Sequence, residues 1–208
     1  TRALEEGELE PIGTREMLRR QGYNIFIGSF AALASYALFH MVTIFPLSWI
    51  SFNESQSIHD VLGVQLAGAV LAVFGTIASG WIADRIGKRT TVALLACLIG
   101  VFALFTPMLL DGSPIQQDAF ILIGFALLGV SYGQAAGTVT TNFERRFRYT
   151  GAALTSDFAW LFGAAFAPLV ALGLSANFGL AYVSVYLLSG VVCTLLALRI
   201  NKSLEASD

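Results

Sequence analysis

The chain has 208 residues, of which 56% are hydrophobic and 12% are charged, and its formal net charge is −2. Soluble domains carry roughly twice this charged fraction, and nucleic-acid-binding domains are basic, so the composition argues against both classes. The apolar residues come in runs of about 20 separated by short polar joints, the pattern of helices that span a bilayer. We therefore expect an all-α integral membrane protein.

The first 21 residues are polar, and we expect them to form a cytoplasmic linker. An acidic run over residues 5–11 is typical of a solvated segment. Residues 14–20 combine the apolar Met17 and Leu18 with three arginines. This pattern predicts a short amphipathic helix on the membrane surface.

Six apolar segments follow and define a domain over residues 22–200. We place them at 23–50, 61–84, 90–110, 118–141, 151–174 and 178–199. Each is long enough to cross a hydrocarbon core of about 30 Å at 1.5 Å per residue. The spans are predicted to be helices, because lipid offers no partner to an open backbone.

The basic residues predict which side of the membrane each joint faces. All twelve lie before the first span, between the second and third, between the fourth and fifth, or at and after the end of the sixth. The alternate joints contain none. Because cytoplasmic loops are rich in lysine and arginine, both termini are predicted to be cytoplasmic, including a tail over residues 201–208. The chain starts with Thr1 and has no signal peptide, which suggests a fragment or a processed product.

Small residues form stripes on two spans. Gly129, Gly133 and Gly137 are spaced by four in the fourth span. Gly163 and Ala167 precede Pro168 in the fifth span, where the proline predicts a kink. Such faces allow close helix packing, and a moving gate would need the same contacts.

The joint between the second and third spans contains an acidic residue in an unfavourable position. Asp84 lies at the C-terminal end of a helix, where the helix dipole disfavours an anion. We expect it to have a partner, for which Arg85, Arg148 or the helix start at Thr150 are candidates.

The glycines and the remaining basic residues of this joint have different predicted roles. Gly80 would allow close helix approach, and Gly87 would permit a tight turn. Lys88 and Arg89 would hold the joint in the cytoplasm.

Two motifs carry a family resemblance. The first is the run Gly80-x-x-x-Asp84-Arg85-x-Gly87-Lys88-Arg89. It resembles the loop signature of the major facilitator superfamily. The second, Arg148-Tyr149-Thr150-Gly151-Ala152, is similar to a segment of that family's metabolite:proton symporter branch.

The resemblance covers residues 14–200 and implies half of a twelve-helix transporter, its C-terminal half. The implied activity is proton-coupled transport of a small polar metabolite, such as an organic acid, amino acid or osmolyte, by alternating access. The implied partner is an N-terminal six-helix half on the same polypeptide, and no cofactor is implied. The cytoplasmic gating motif would consist of Gly80, Asp84, Arg85, Gly87, Lys88, Arg89 and Arg148.

One departure from the family concerns a carboxylate. The family has a Pro-Glu-Leu-Phe-Pro-like run just before its arginine segment, and Thr141 stands at the expected acidic position here. Glu144 lies three residues later. Either Glu144 takes the role of this carboxylate from one helical turn away, or the carrier has no carboxylate in that role.

The resemblance also assigns the first and fourth spans to a central cavity, the second and fifth to the border with the other half, and the third and sixth to lipid. The first span has Tyr36, His40 and Thr43 on one helix face. The fourth has Tyr132 and Gln134. These five are substrate or proton candidates, and packing hydrogen bonds are the alternative.

Asp157 completes the set of candidates, as the one carboxylate well inside a span. It is either a proton or substrate site or an ion-paired group facing the other half, since ionisable groups at membrane depth are rare and costly.

A second class of function stays open, an independent six-span protein acting as a homodimeric channel or carrier. The sequence argues against an enzyme, since it has no His-Glu-x-x-His run, Gly-x-Ser-x-Gly elbow or phosphate loop. Two histidines and two cysteines are too few for a dedicated metal site. Cys97 and Cys193 are expected to be buried as small apolar residues.

Overall fold

The computed structural model describes residues 14–53, 55–140, 143 and 147–200, and all regular structure in this part of the chain is helical. The helices are α1 (Thr14–Ala31), α2 (Leu33–Thr43), α3 (Phe45–Phe52), α4 (Ile58–Ile86), α5 (Lys88–Leu110), α6 (Pro114–Thr140), α7 (Arg148–Trp160), α8 (Ala167–Phe178) and α9 (Leu180–Ile200). A π-helical segment, Leu161–Ala165, joins α7 to α8. Six stretches are long and apolar enough to cross a membrane, which confirms the predicted six spans.

The first span is Leu33–Phe52 and consists of α2 and α3, so it begins ten residues later than the predicted start at residue 23. The helix α1 precedes it. Residues 14–20 are helical as predicted, but the helix is neither short nor separate, because α1 begins at Thr14 and continues to Ala31. Met17 is fully buried, and its methyl group lies beside Gly151 of α7. Packing of this apolar side chain on the bundle therefore outweighs exposure to the membrane surface.

Side chains from other spans hydrogen-bond to the backbone at two breaks, one between α1 and α2 and one inside the first span between α2 and α3. At the first break, the Thr194 hydroxyl of α9 donates to the Phe30 carbonyl oxygen at 3.0 Å and accepts from the Ala34 amide, also at 3.0 Å. Beside the second break, Gln65 of α4 donates through Nε2 to the Thr43 carbonyl oxygen at 2.6 Å. These bonds pair backbone groups that apolar surroundings would otherwise leave unsatisfied.

The most extensive helix contact joins α4 to α6, and glycines make it possible. A Cβ atom at Gly129 would overlap the backbone of Ala72, and one at Gly133 would lie 2.5 Å from the Ser79 hydroxyl oxygen. Thr76 donates to the Gly129 carbonyl oxygen at 3.0 Å across this seam. Gly129 and Gly133 of the small-residue stripe in the fourth span therefore form a packing face against α4.

The fifth span is interrupted where the proline kink was predicted. The π-helical segment ends at Ala165, and α8 starts with Pro168 in its first turn. A Cβ atom at Gly163 would lie 3.0 Å from side-chain atoms of Leu33 and Tyr36, so the irregular turn packs directly on the first span.

Apolar side chains from all six spans form the main core, which includes Phe45, Phe102, Phe120, Ile121 and Leu187. A smaller cluster of Met17, Ile25, Phe143 and Phe147 lies beside the start of α7. The span α4 is the least buried of the six, and its outward face is apolar. Cys97 was expected to be buried but is exposed on α5, and Cys193 is half-buried; neither forms a disulfide.

Candidate functional site

Aromatic rings from three spans meet at one place in the bundle. The Tyr36 ring of α2 lies 5.6 Å from the Tyr132 ring of α6 and 5.2 Å from the Trp160 ring of α7, both edge-to-face. The Phe39 ring lies 5.1 Å from Trp160 and 6.2 Å from Tyr132. We call these four residues together with His40 the aromatic cluster.

His40 lies at the edge of the aromatic cluster. Its ring centroid is 5.8 Å from that of Trp160 and 5.3 Å from that of Phe39. Its Nδ1 atom is buried and has no hydrogen-bond partner among the described residues. A buried polar nitrogen without a partner is costly, so this atom is available to a ligand, a water molecule or a group of the other half.

Polar groups of α7 border the same cluster. Ser156, Tyr132 and Asp157 lie near enough to the Tyr36 hydroxyl to interact with it electrostatically. Asp157 is exposed and precedes Trp160 by three residues, which places both on one face of α7. The structure thus brings together four of the six predicted site residues. They are Tyr36, His40, Tyr132 and Asp157.

The other two candidates are engaged elsewhere in the bundle. The Thr43 hydroxyl donates to the Phe39 carbonyl oxygen of its own helix at 2.6 Å. Gln134 is buried and donates through Nε2 to the Ser79 hydroxyl at 3.2 Å, across the contact of α6 with α4. Thr43 therefore bonds within its own helix and Gln134 bonds between two helices, as the packing alternative predicted.

Trp160 and Phe39 were missed as site residues by sequence reasoning. Both read as ordinary apolar residues of a span. The one available signal was the spacing of Trp160 from Asp157, since residues three apart share a helix face. Only the packing of three spans shows that Trp160 contacts Tyr36, Phe39 and His40.

The motif between α4 and α5 forms a tight turn fixed to the sixth span. Gly87 has a φ of 84°, a conformation that favours glycine, which confirms its predicted role. The Arg85 guanidinium stacks 3.8 Å from the centroid of the Trp81 ring. Arg89 donates to the Leu198 carbonyl oxygen at 3.1 Å and so ties the joint to the end of α9. Lys88, half-buried, begins α5.

Two expectations about this motif are not met within the described part of the chain. Asp84 is exposed and forms no ion pair there with Arg85 or with Arg148, which is exposed at the start of α7. A Cβ atom added at Gly80 would meet no atom of a neighbouring helix within 4 Å, so this glycine makes no close helix approach in the six-span unit. Thr141 and Glu144 lie outside the described residues.

The motifs and the six-span bundle correspond to a known family. Residues 2–161 match the family model described as Major Facilitator Superfamily. The chain belongs to this superfamily of transporters. It is a multi-pass membrane protein, and its six spans correspond to half of the family's fold.

Curated relatives are about twice as long as this chain. The chain is 32% identical over 197 residues to the inner membrane metabolite transport protein YhjE of Escherichia coli, covering 92% of the chain and 44% of that protein. It is 30% identical over 194 residues to a putative metabolite transport protein of Haemophilus influenzae, covering 88% and 44%. Another Haemophilus influenzae relative of the same description is 32% identical over 187 residues, covering 83% and 41%. No solved structure matches significantly.

Proposed function

We propose that residues 22–200 are the C-terminal half of a proton-coupled secondary transporter that moves a small polar metabolite by alternating access. Residues 1–21 would end the central cytoplasmic loop, and residues 201–208 would form a cytoplasmic tail. The relatives are described as metabolite transport proteins, and one as an inner membrane protein, which supports the same role and a bacterial inner membrane location here. This role is not enzymatic.

The observation that carries the proposal is the aromatic cluster with its ionisable neighbours. Transporters place substrate and coupling-ion sites between helices near the middle of the membrane. His40, with its unpartnered Nδ1 atom, and the exposed Asp157 lie at the meeting point of the first, fourth and fifth spans. Both groups can exchange a proton, and the surrounding half-buried rings can hold a small ligand.

The gating motif would control access from the cytoplasmic side. Asp84 is exposed, and a Cβ atom at Gly80 would meet no neighbouring atom within 4 Å, so we infer that the partners of these two residues belong to the N-terminal half. Arg89 ties the same turn to α9, which would transmit its movement to the sixth span.

The test is proton movement by the full-length protein in proteoliposomes that contain a pH-sensitive dye. Organic acids, amino acids and osmolytes would be added one at a time, and the transported compound is expected to acidify the lumen. Liposomes without protein are the control. Substrate uptake that does not change with the proton gradient would contradict the proton coupling, and passive ion conduction would contradict the carrier mechanism.

A further inference from the structure

A groove outside the aromatic cluster lies where the second, third and fourth spans meet. Helix α6 packs against both α4 and α5, whereas α4 and α5 make little contact with each other. The space left between them has a volume of about 400 Å³. Thr91, Leu94 and Leu98 of α5 recur in it at intervals of three and four, and Ile123 and Val130 of α6 are two turns apart, so one face of each helix lines the groove.

The inside of the groove is apolar and open to the surroundings of the bundle. Thr91 is the one polar residue among the described residues that line it, and its hydroxyl donates to the Gly87 carbonyl oxygen at 2.8 Å. Leu94, Leu98 and Ile123 are exposed. An occupant therefore gains van der Waals contact but no side-chain hydrogen bond, which is the chemistry of a hydrocarbon chain.

Basic residues stand at the end of the groove, where the turn at residue 87 joins α4 to α5. Lys88 precedes Thr91 by three residues, and the exposed Arg85 follows Ile82 by three, so each continues a lining face of its helix. Asp84 follows Ile82 by two residues and lies on the opposite side of α4, since two residues turn a helix by about 200°. The groove thus has hydrocarbon walls and a cationic end.

The length of the groove matches one leaflet of a bilayer. From Lys88 to Leu98, α5 rises by about 15 Å, which is half of a hydrocarbon core of about 30 Å. The basic end therefore lies at the level of the lipid headgroups, and the lining leucines lie at the level of the acyl chains.

We infer that this groove binds one acyl chain of an anionic phospholipid, whose phosphate lies against Arg85 and Lys88. The apolar walls accept the chain of any phospholipid, and the basic end selects a headgroup with a net negative charge. The site lies apart from the aromatic cluster, and the inference does not depend on which metabolite is transported.

The headgroup preference would be tested by lipid binding to the purified full-length protein, measured by native mass spectrometry. Phosphatidylglycerol is expected to bind about tenfold more tightly than phosphatidylcholine with the same acyl chains. Arg85→Gln and Lys88→Gln should each weaken phosphatidylglycerol binding about fivefold and leave phosphatidylcholine binding unchanged. Arg199→Gln, which removes an exposed basic residue at the end of α9, is the matched control and should have no effect.

The place of the acyl chain would be tested by photolabelling in phosphatidylcholine vesicles. Phosphatidylglycerol with a diazirine in its acyl chain is expected to label residues 91–98 and 123–130 more strongly than the matched phosphatidylcholine probe does. Leu98→Trp fills the groove and should remove this excess labelling. Leu104→Trp changes an exposed leucine of the same helix outside the lining and should retain it.

Equal binding of the two lipids, or equal labelling of these residues by the two probes, would overturn the inference. Excess labelling that survives Leu98→Trp would overturn the role of the groove. A homodimer that Leu98→Trp, but not Leu104→Trp, converts to a monomer would show that a second copy of the chain covers the groove instead. Neither experiment measures uptake, so its failure leaves the transport proposal standing.

Discussion

Two ionisable residues, His40 and Asp157, lie inside membrane spans, where a charged side chain is costly. His40 and Asp157 come from different spans and approach the same group of rings. Charged groups at membrane depth are expensive and tend to face a cavity or a partner. Asp157 is exposed in this half, so we expect it to face the cavity or the other half of the proposed transporter.

We predict that Asp157→Asn abolishes proton-driven uptake, because the amide keeps the shape of the carboxylate but cannot carry a proton. Uptake of the identified substrate would be measured in proteoliposomes with and without a pH gradient. Asp111→Asn, at an exposed joint outside the spans, should behave like the wild type. A wild-type rate with the normal pH dependence in Asp157→Asn would reject the coupling role.

At Thr194, a single hydroxyl satisfies two backbone groups beside the break between α1 and α2. We predict that Thr194→Val lowers stability by about 1 kcal/mol, since it leaves the Phe30 carbonyl and Ala34 amide without this partner. The measurement is the thermal unfolding midpoint of the purified full-length protein. Thr194→Ser keeps the hydroxyl and should retain most of the stability. An unchanged midpoint in Thr194→Val would show that water replaces the bond.

Among the helices, the contact of α4 with α6 depends most on small side chains. Backbones approach closely at Gly129 and Gly75, where an added Cβ would meet the Ala72 backbone and the Ala126 carbonyl oxygen respectively. Membrane helices lack a hydrophobic drive to associate, so such close contact and the hydrogen bond from Thr76 supply much of the attraction.

We predict that Gly129→Ala destabilises the protein by about 1–3 kcal/mol, because the methyl group forces the two backbones apart. The loss of stability would be measured by thermal unfolding in detergent and by the yield of folded protein. Gly173→Ala is the matched control, since nothing lies within 4 Å of its added methyl group and alanine favours a helix. Equal midpoints for the two variants would contradict the packing role of Gly129.

The turn between α4 and α5 gives a prediction about gating. Asp84→Asn is expected to impair transport several-fold while leaving membrane insertion intact, because Asp84 makes no ion pair within the described residues and its loss leaves the bundle unchanged. Uptake rate and the amount of protein in the membrane would both be measured. Asp84→Glu, which keeps the charge, should recover part of the rate. Full transport by Asp84→Asn would remove the gating role.

The whole molecule has a large apolar face that the six spans do not cover themselves. The exposed side chains of α4 include Leu66, Val70, Phe74, Ile77 and Trp81. A surface of this kind is stable against lipid or against a second bundle. The family architecture places the other half of the transporter beside this span, which remains a prediction.

The orientation of the whole molecule can be measured by labelling. With Cys97 and Cys193 replaced by alanine, a cysteine at Ser113 should react with a membrane-impermeant maleimide from outside the cell. A cysteine at Thr90 should react only after the membrane is opened, because basic joints are retained in the cytoplasm. The reverse pattern would overturn the predicted orientation, and labelling of both from outside would contradict the span count.

Sequence alone determined the number of spans and the approximate places of five of them, because each apolar run is as long as the bilayer core is thick. The first span begins at Leu33, ten residues after its predicted start. The glycine turn at Gly87 and the break before Pro168 were also predictable, since both follow from the allowed backbone conformations of single residues. The motif between the second and third of six spans, together with the segment from Arg148 to Ala152, indicated the superfamily.

Tertiary structure decided which polar side chains share a site. Thr43 and Gln134 belong to the same spans as Tyr36 and Tyr132, yet they bond to the Phe39 carbonyl and to Ser79. Hydropathy sets where a helix lies along the membrane normal but leaves its rotation open. Contacts such as Gly129 against Ala72 set that rotation, and so only packing placed Trp160 beside Tyr36.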